Sequence, residues 1–337
     1  MSAPPHQASG LAQLEAVLAA GGPRLARSLA RTEERLGEIG ESHGAELGQH
    51  AADTLSAGGK RLRPLIVFLC SGQASSDATV SAAVAVELVH MATLVHDDVL
   101  DRASLRRGHE TVYKSAGRAA ATQTGDFLFS RAFAELAAMG SPEAVKTLSD
   151  ASSALARGEL MQRADAWSAY VSPERYISRC TLKTARLFEA ACRLGAIFGP
   201  SENGLGGSVE CLGAFGEKIG IAFQIFDDVL DVSGPPERTG KHRGTDLLDG
   251  TITLPLILAR QRDKELAELD LRTSVTNPAE ADAFCERIAD TGALTDAREE
   301  ALTYVQQAKA ALDEIDLPAQ QRRALELVAD GVVERYA

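Results

Sequence analysis

An all-α fold in one large domain is what this sequence predicts, and three observations predict it. Apolar residues recur at helical spacing along nearly the whole chain, and the period-two alternation of strands is absent. Aromatic residues are scarce, 5% of the chain, while alanine and leucine are abundant within an apolar share of 45%. Breaks between periodic segments are brief, with no linker and no low-complexity tract, so the 337 residues can bury one large core.

The opening residues, Met1 to Gly10, carry Pro, Ser and Gly and are expected to be disordered, leaving 11–337 as the folded domain. They hold neither a basic region nor an apolar stretch, so no signal peptide is expected. Periodicity predicts helices over 11–39, 45–57 and 63–70, the last entered through Pro64, whose fixed φ suits a first turn. A long apolar helix is expected over 77–102, then another over 119–139. Helices over 142–164 and 173–197 each open on a proline preceded by serine, and 209–232 completes the series. Gly234, Pro235, Pro236, Gly240, Gly244 and Gly250 make 233–251 the clearest irregular segment. Helices resume after Pro255, with a loop expected near 273–278.

Charge and cysteine usage exclude several classes. The net charge is −12 and no basic stretch exceeds Arg-Leu-Arg or Arg-Arg, so nucleic acid is not an expected partner. Cys70, Cys180, Cys192, Cys211 and Cys285 are scattered without a CxxC and are expected to be core thiols in a reducing compartment. No uninterrupted apolar run of membrane-spanning length is read, so the protein is expected in the cytoplasm.

The chemistry lies in a pentapeptide that occurs twice, Asp97-Asp98-Val99-Leu100-Asp101 and Asp227-Asp228-Val229-Leu230-Asp231. On a helix, residues i and i+4 share a face, so each copy presents a two-carboxylate claw. Such pairs repel one another and call for a positive partner. Mg²⁺ accepts one or two carboxylates and completes its shell with water and phosphate oxygens, so two claws suggest a diphosphate held between them by metal ions. A solvated acidic face is the bland alternative; two identical copies after Leu-Val-His and Gln-Ile-Phe, lead-ins suited to a core, argue against it.

Cations accompany the claws. Gly58-Gly59-Lys60-Arg61-Leu62-Arg63-Pro64 places three at a helix entry, where free N–H groups favour an anion, although the segment is not a P-loop. Arg106 and Arg107 follow the first claw, Lys183 and Arg186 lie on a helix, and Lys241 lies in the glycine-rich loop after the second. Singly each would be an ordinary surface charge; beside paired carboxylates they fit a phosphate clamp. His96 is expected to pack rather than act as a base, Trp167 to anchor a loop near Tyr170, and Phe127, Phe129 and Phe133 to be core, with lining a product tunnel as the alternative.

These residues resemble the trans-isoprenyl diphosphate (polyprenyl) synthases. The resemblance rests on Gly58 to Pro64, His90 to Gly108, Gly125-Asp126, Gly158-Glu159 with Gln162, Lys183-Thr184-Ala185, Phe223 to Asp228, and Gly240-Lys241 through Asp246 to Pro255. It implies the isoprenoid synthase fold, antiparallel helices around a central active-site cavity. It implies three Mg²⁺ ions, two on Asp97 and Asp101 and a third on Asp227. Asp231 would complete the metal set mainly as a supporting group, as would Asp98 and Asp228. Arg106, Lys183 and Lys241 would hold the allylic diphosphate. Isopentenyl diphosphate would occupy a metal-free pocket of Gly59, Lys60, Arg63, His90 and Arg107. The allylic C–O bond would ionise, the isopentenyl double bond would attack, and a proton would leave with the diphosphate. Gln224 and the carbonyls of Lys183 and Thr184 would offer dipoles to the cation. A homodimer is implied, with transient membrane contact for product release.

One departure is Thr251, which stands where many members carry a lysine; either a lower allylic affinity or compensation by His242 or Arg243 is expected. A class I terpene cyclase would leave Lys60, Arg63 and Arg107 unexplained, and a regulatory subunit would carry eroded claws. In the implied family the product extends beside the helix before Asp97, meeting Ala92 and Thr93 first, then Leu88, Ala85 and Ser81. Only Leu88 is bulky, so a product of about six to ten isoprene units is expected, with a geranylgeranyl product as the alternative.

Overall fold

The structure is a computed structural model and describes residues 5–42, 44–56, 59, 61–72, 76–199, 206–234 and 242–334. Its chain folds as a helical bundle. The helices are α1 (Pro5–Glu41), α2 (Ala45–Ser56), α3 (Leu62–Cys70), α4 (Asp77–Leu100), α5 (Val112–Ala137), α6 (Pro142–Asp165) and α7 (Pro173–Cys180). After a π-helical turn, Thr181–Ala185, come α8 (Arg186–Ile197), α9 (Gly206–Ser233), α10 (Thr245–Leu248) and α11 (Leu254–Arg260). Short α12 (Lys264–Ala267) and α13 (Leu271–Ser274) precede α14 (Pro278–Asp290), α15 (Ala293–Asp313) and α16 (Ala319–Glu334).

Helix starts are written in the sequence. Ser76, Thr111, Ser141, Ser172 and Asn277 each accept a hydrogen bond from the backbone N–H three residues on, satisfying a donor the first turn leaves open. At Ser141, Ser172 and Asn277 the next residue is proline, which needs no N–H there.

α4 is the axis of the molecule, packed on α1, α3, α5 and α8, while α9 lies between α8 and α15. From Thr79 to Val89 every α4 residue is buried. By length and composition this helix could cross a membrane, contrary to the expectation that no run would; 72% of the stretch is buried, so its apolarity serves the core. Close crossings rely on glycine: a Cβ on Gly216 would come within 2.6 Å of the Phe188 carbonyl oxygen, and one on Gly195 within 2.3 Å of the Val67 carbonyl oxygen.

Five departures from the expected elements occur, the first three with local causes. α1 reaches back to Pro5, into the segment expected to lack structure, and kinks at Gly22 (φ 74°) before Pro23, which has no N–H to donate. α5 starts at Val112 and breaks at Gly117 (φ 87°), so the expected helix at 119 is its second part. A hairpin pairs Leu105 with Glu110 and Arg106 with His109, turned by Arg107 (φ 52°) and Gly108 (φ 82°), the left-handed pair a tight two-residue turn needs. Strands this short leave no alternation to read. The expected 173–197 helix is interrupted by the π turn, and α10 sits within the segment expected to be irregular.

Candidate active site

The first claw closes α4. Asp101 caps the helix, its N–H donating to the Asp97 carbonyl at 2.8 Å. Burial pushes the Asp97 carboxyl up to about 6, with Lys183 and Arg106 near enough to oppose the rise and Glu159 and Asp101 near enough to add to it. Asp98 faces inward at 5% exposure and takes Arg106 through Nε at 2.7 Å. Arg106 therefore bridges the claw and the hairpin.

The second claw lies near the end of α9, with Asp227 exposed and Asp228 buried. Tyr176 Oη donates to Asp228 Oδ2 and Gln224 Nε2 to Asp228 Oδ1, each at 2.7 Å. Burial raises the Asp228 carboxyl to about 7 against those two hydrogen bonds. Asp231 Oδ2 accepts the Asp246 N–H at 3.1 Å, tying the chain after the claw to its last carboxylate, which fits a supporting role.

The π turn joins the two claws. Lys183 Nζ lies 2.7 Å from Glu159 Oε2 and is felt by Asp97, while Thr184 Oγ1 donates to Gln224 Oε1 at 2.7 Å. The turn is clasped between two glycines. A Cβ on Gly158 would fall 2.5 Å from the Lys183 nitrogen, and one on Gly220 2.4 Å from the Ala185 Cα. Irregular turns of this kind concentrate at functional sites.

A cationic pocket adjoins the first claw. The His90 pKa is pushed well below its ordinary value by burial and by Arg63, Arg107, Arg106 and Arg61. Burial lowers Arg63 to about 10, with Glu87 opposing and Arg107 adding, and its Nε has no hydrogen-bond partner. The Arg63 guanidinium sits 4.6 Å over the Phe188 ring. Gly59 leaves room for Arg107, whose Nη1 would be 2.8 Å from a Cβ there. Arg61 is neutralised by Glu33 and by Glu87, the latter at 2.8 Å. Lys60 and Lys241 lie outside the described residues.

Other positions sort by what they touch. Ala92 and Leu88 are wholly buried, and Thr93 is half-buried with its hydroxyl bonded to the His90 carbonyl at 2.7 Å. His96 fills the space above Gly125 and stacks on Phe129 at 5.8 Å, as expected of a packing residue, while Phe127 and Phe133 lie against the core. Trp167 donates its N–H to the Gly250 carbonyl at 2.8 Å and its ring lies against Gly250; Tyr170 is 79% exposed, so the anchor is the glycine. Arg186 pairs with Glu217 at 3.2 Å on the surface. Arg243 pairs with Asp282 at 2.6 Å and with Glu286 on α14, so its charge is committed there rather than to replacing the lysine missing at Thr251. Tyr176 was not singled out from the sequence, although it lies seven residues before Lys183, on the same helical side.

Among the described residues no three His, Cys, Asp or Glu side chains converge as a ready-made metal site. Two hard oxygen donors per claw, with Asp97 disfavoured as a bare anion, fit Mg²⁺ that completes its shell on water and phosphate oxygens.

Comparison with known proteins agrees with this geometry. Residues 45–290 match the polyprenyl synthetase family. The chain is 37% identical over 303 residues to heptaprenyl diphosphate synthase component 2 of Geobacillus stearothermophilus, covering 89% of this chain and 93% of that one. A crystal structure of heptaprenyl diphosphate synthase from Staphylococcus aureus superposes with TM-score 0.86 at 30% identity, covering 93% of this chain and 99% of that one. A polyprenyl synthase from Caulobacter crescentus CB15, complexed with calcium and isoprenyl diphosphate, gives 0.85 at 35% identity and coverage of 93% and 98%. The chain belongs to the polyprenyl synthetase family of prenyltransferases and has its all-α isoprenoid synthase fold.

Proposed function

We propose that this chain condenses isopentenyl diphosphate head to tail onto an allylic diphosphate and repeats the step to give a long linear polyprenyl diphosphate. The observation that carries this function is the meeting of two unlike sites at one end of α4: carboxylate claws linked through Lys183, and a pocket where Arg63 lies close to Arg107 and His90. Two diphosphates need two such sites, and only the one that ionises needs metal.

Asp97 and Asp101 would hold two Mg²⁺ ions and Asp227 a third. Bound Mg²⁺ supplies Lewis acidity that stabilises the departing diphosphate. Lys183, held at Glu159, is placed to take an oxygen of that diphosphate. Asp98 fixes Arg106, which would hold the allylic diphosphate. Gln224, fixed by Thr184 and Asp228, keeps its amide dipole in place beside the claw. Arg63 and Arg107, with the neutral His90 ring beside them, would hold the second diphosphate, whose negative charge relieves the crowding of the two guanidinium groups.

Product length is read from the face of α4 at Ala92, Leu88, Ala85 and Ser81, on which only Leu88 is bulky, and is supported by the heptaprenyl products in the names of two relatives. The name "component 2" supports a second arrangement, in which this chain is the catalytic member of a hetero-oligomer rather than a homodimer. Free, unpaired thiols support a cytoplasmic setting. Purified protein with Mg²⁺, farnesyl diphosphate and labelled isopentenyl diphosphate should yield linear products of about six to ten units. A hydrocarbon product would reassign it to cyclases, and activity only after adding a second chain would establish the hetero-oligomer.

A further inference from the structure

The buried face of α4 changes chemistry at its far end. Ala92, Leu88 and Ala85 are apolar and wholly buried, but Ser81, 9% exposed, donates its hydroxyl to Glu135 Oε2 at 3.4 Å. Glu135, on α5, is itself 5% exposed. Its carboxylate takes the Arg35 guanidinium from α1, Nη2 to Oε1 at 2.8 Å and Nε to Oε2 at 3.3 Å. Arg131 Nη2 stands 3.7 Å from the same Oε1, and its Nε is buried without a hydrogen-bond partner. Arg35 also donates to Glu38 at 2.7 Å, and its side chain is 42% exposed, so this charged cluster separates the interior from solvent. Ser81 precedes Asp97 by 16 residues, about 24 Å along the helix.

We infer that the Glu135–Arg35 pair, with Ser81, is a polar floor that ends chain growth, so that the ceiling on product length is set by charge rather than by a bulky side chain. It rests on the condensation proposed above. A polyprenyl tail growing down α4 gains by burial as long as the wall is apolar. Past Ala85 its next methyl groups must displace the Ser81 hydroxyl from Glu135 and crowd a desolvated carboxylate and guanidinium, leaving charged groups without their partners. Arg35 is 42% exposed on this chain, so a tail that passed the floor would leave the buried apolar wall of the chain. Elongation therefore stalls when the tail's end reaches Glu135, and the product is released at that length.

The test is product distribution with farnesyl and isopentenyl diphosphates, in two variants. Glu135→Gln keeps the shape and a hydrogen-bond acceptor for Ser81 but removes the charge. The double variant Arg35→Met with Glu135→Leu replaces both charges by apolar groups of similar size, a change that buried ion pairs commonly tolerate. The double variant should lengthen the main product by at least one isoprene unit, with Glu135→Gln shifting it in the same direction and the rate of the first condensation staying within about twofold of wild type. Because Glu135→Gln alters no volume, a purely structural role would not move product length in it. An unchanged or shortened distribution in either folded variant overturns the floor, as does a wild-type product of four units or fewer, which would stop above it. Absence of any condensation by the wild type would instead overturn the proposed function.

Discussion

At the scale of the residue, the site is a set of charges placed against their own preference. Asp97 is a carboxyl that burial disfavours as an anion, and Arg63 is a guanidinium crowded by another cation. Protein groups offset each only in part, Lys183 and Arg106 at Asp97 and Glu87 at Arg63, and under the proposed function their substitutions should separate accordingly. Asp97→Ala or Asp227→Ala should lower turnover about a thousandfold, equivalent to about 4 kcal/mol of transition-state stabilisation, with the fold intact by circular dichroism. Near-normal turnover in either would remove that residue from the metal set. Arg63→Ala should raise the KM for isopentenyl diphosphate about tenfold or more while kcat changes less, since its partner substrate does not ionise. If the allylic KM rises instead, the two pockets are assigned the wrong way round.

Elements turn these residues into a site through their irregularities. The π turn is gripped where Gly158 and Gly220 let two helices touch its backbone. Helix propensity alone gives Gly158→Ala a gain of about 1 kcal/mol. Here the added Cβ collides with backbone, so the variant should instead lose thermal stability and, because the shift carries Lys183 with it, lose turnover as well. A melting temperature above wild type would show that the close crossing is not what glycine is there for. α4 has the opposite property, a regular face of mostly small residues, Ala92, Ala85 and Ser81, interrupted by Leu88. Ala92→Phe should block that face one turn from Asp97 and shorten the main product to about three or four units, with the first condensation little affected. Unchanged product length in that variant would place the growing tail along a different helix.

For the whole molecule, crowding cations in one pocket makes stability depend on pH. His90 is held neutral in the native protein, its pKa well below the ordinary value near 6.5, by burial and by the surrounding arginines. The unfolded chain binds a proton at that ring below about pH 6.5 and the native chain does not. Stability from this group is therefore fully present above about pH 6.5 and is lost as pH falls below it. Thermal unfolding without diphosphate should show His90→Gln losing less stability than wild type between pH 8 and pH 5. Parallel pH curves for the two proteins would mean that the pocket leaves His90 free to titrate.

Helix class, the positions of the main helices and the two claws were legible in the sequence, because a period of 3.6 residues and an i, i+4 pair are properties of a few neighbouring dihedrals. Arg63 and Arg107 stand near His90, as the resemblance of their motifs implies, while Lys60 lies outside the described residues. What only the tertiary structure decided was how the charges are shared out and where regular geometry gives way. Tyr176 meets Asp228 across 52 residues and Arg35 meets Glu135 across 100, and no local pattern announces either pair. Arg106 binds Asp98, Arg243 turns to α14, and α4 is apolar for the sake of the core. The hairpin and the π turn escaped notice for the same reason: they are too short to carry a period, and it is the helices packed around them that hold them in place.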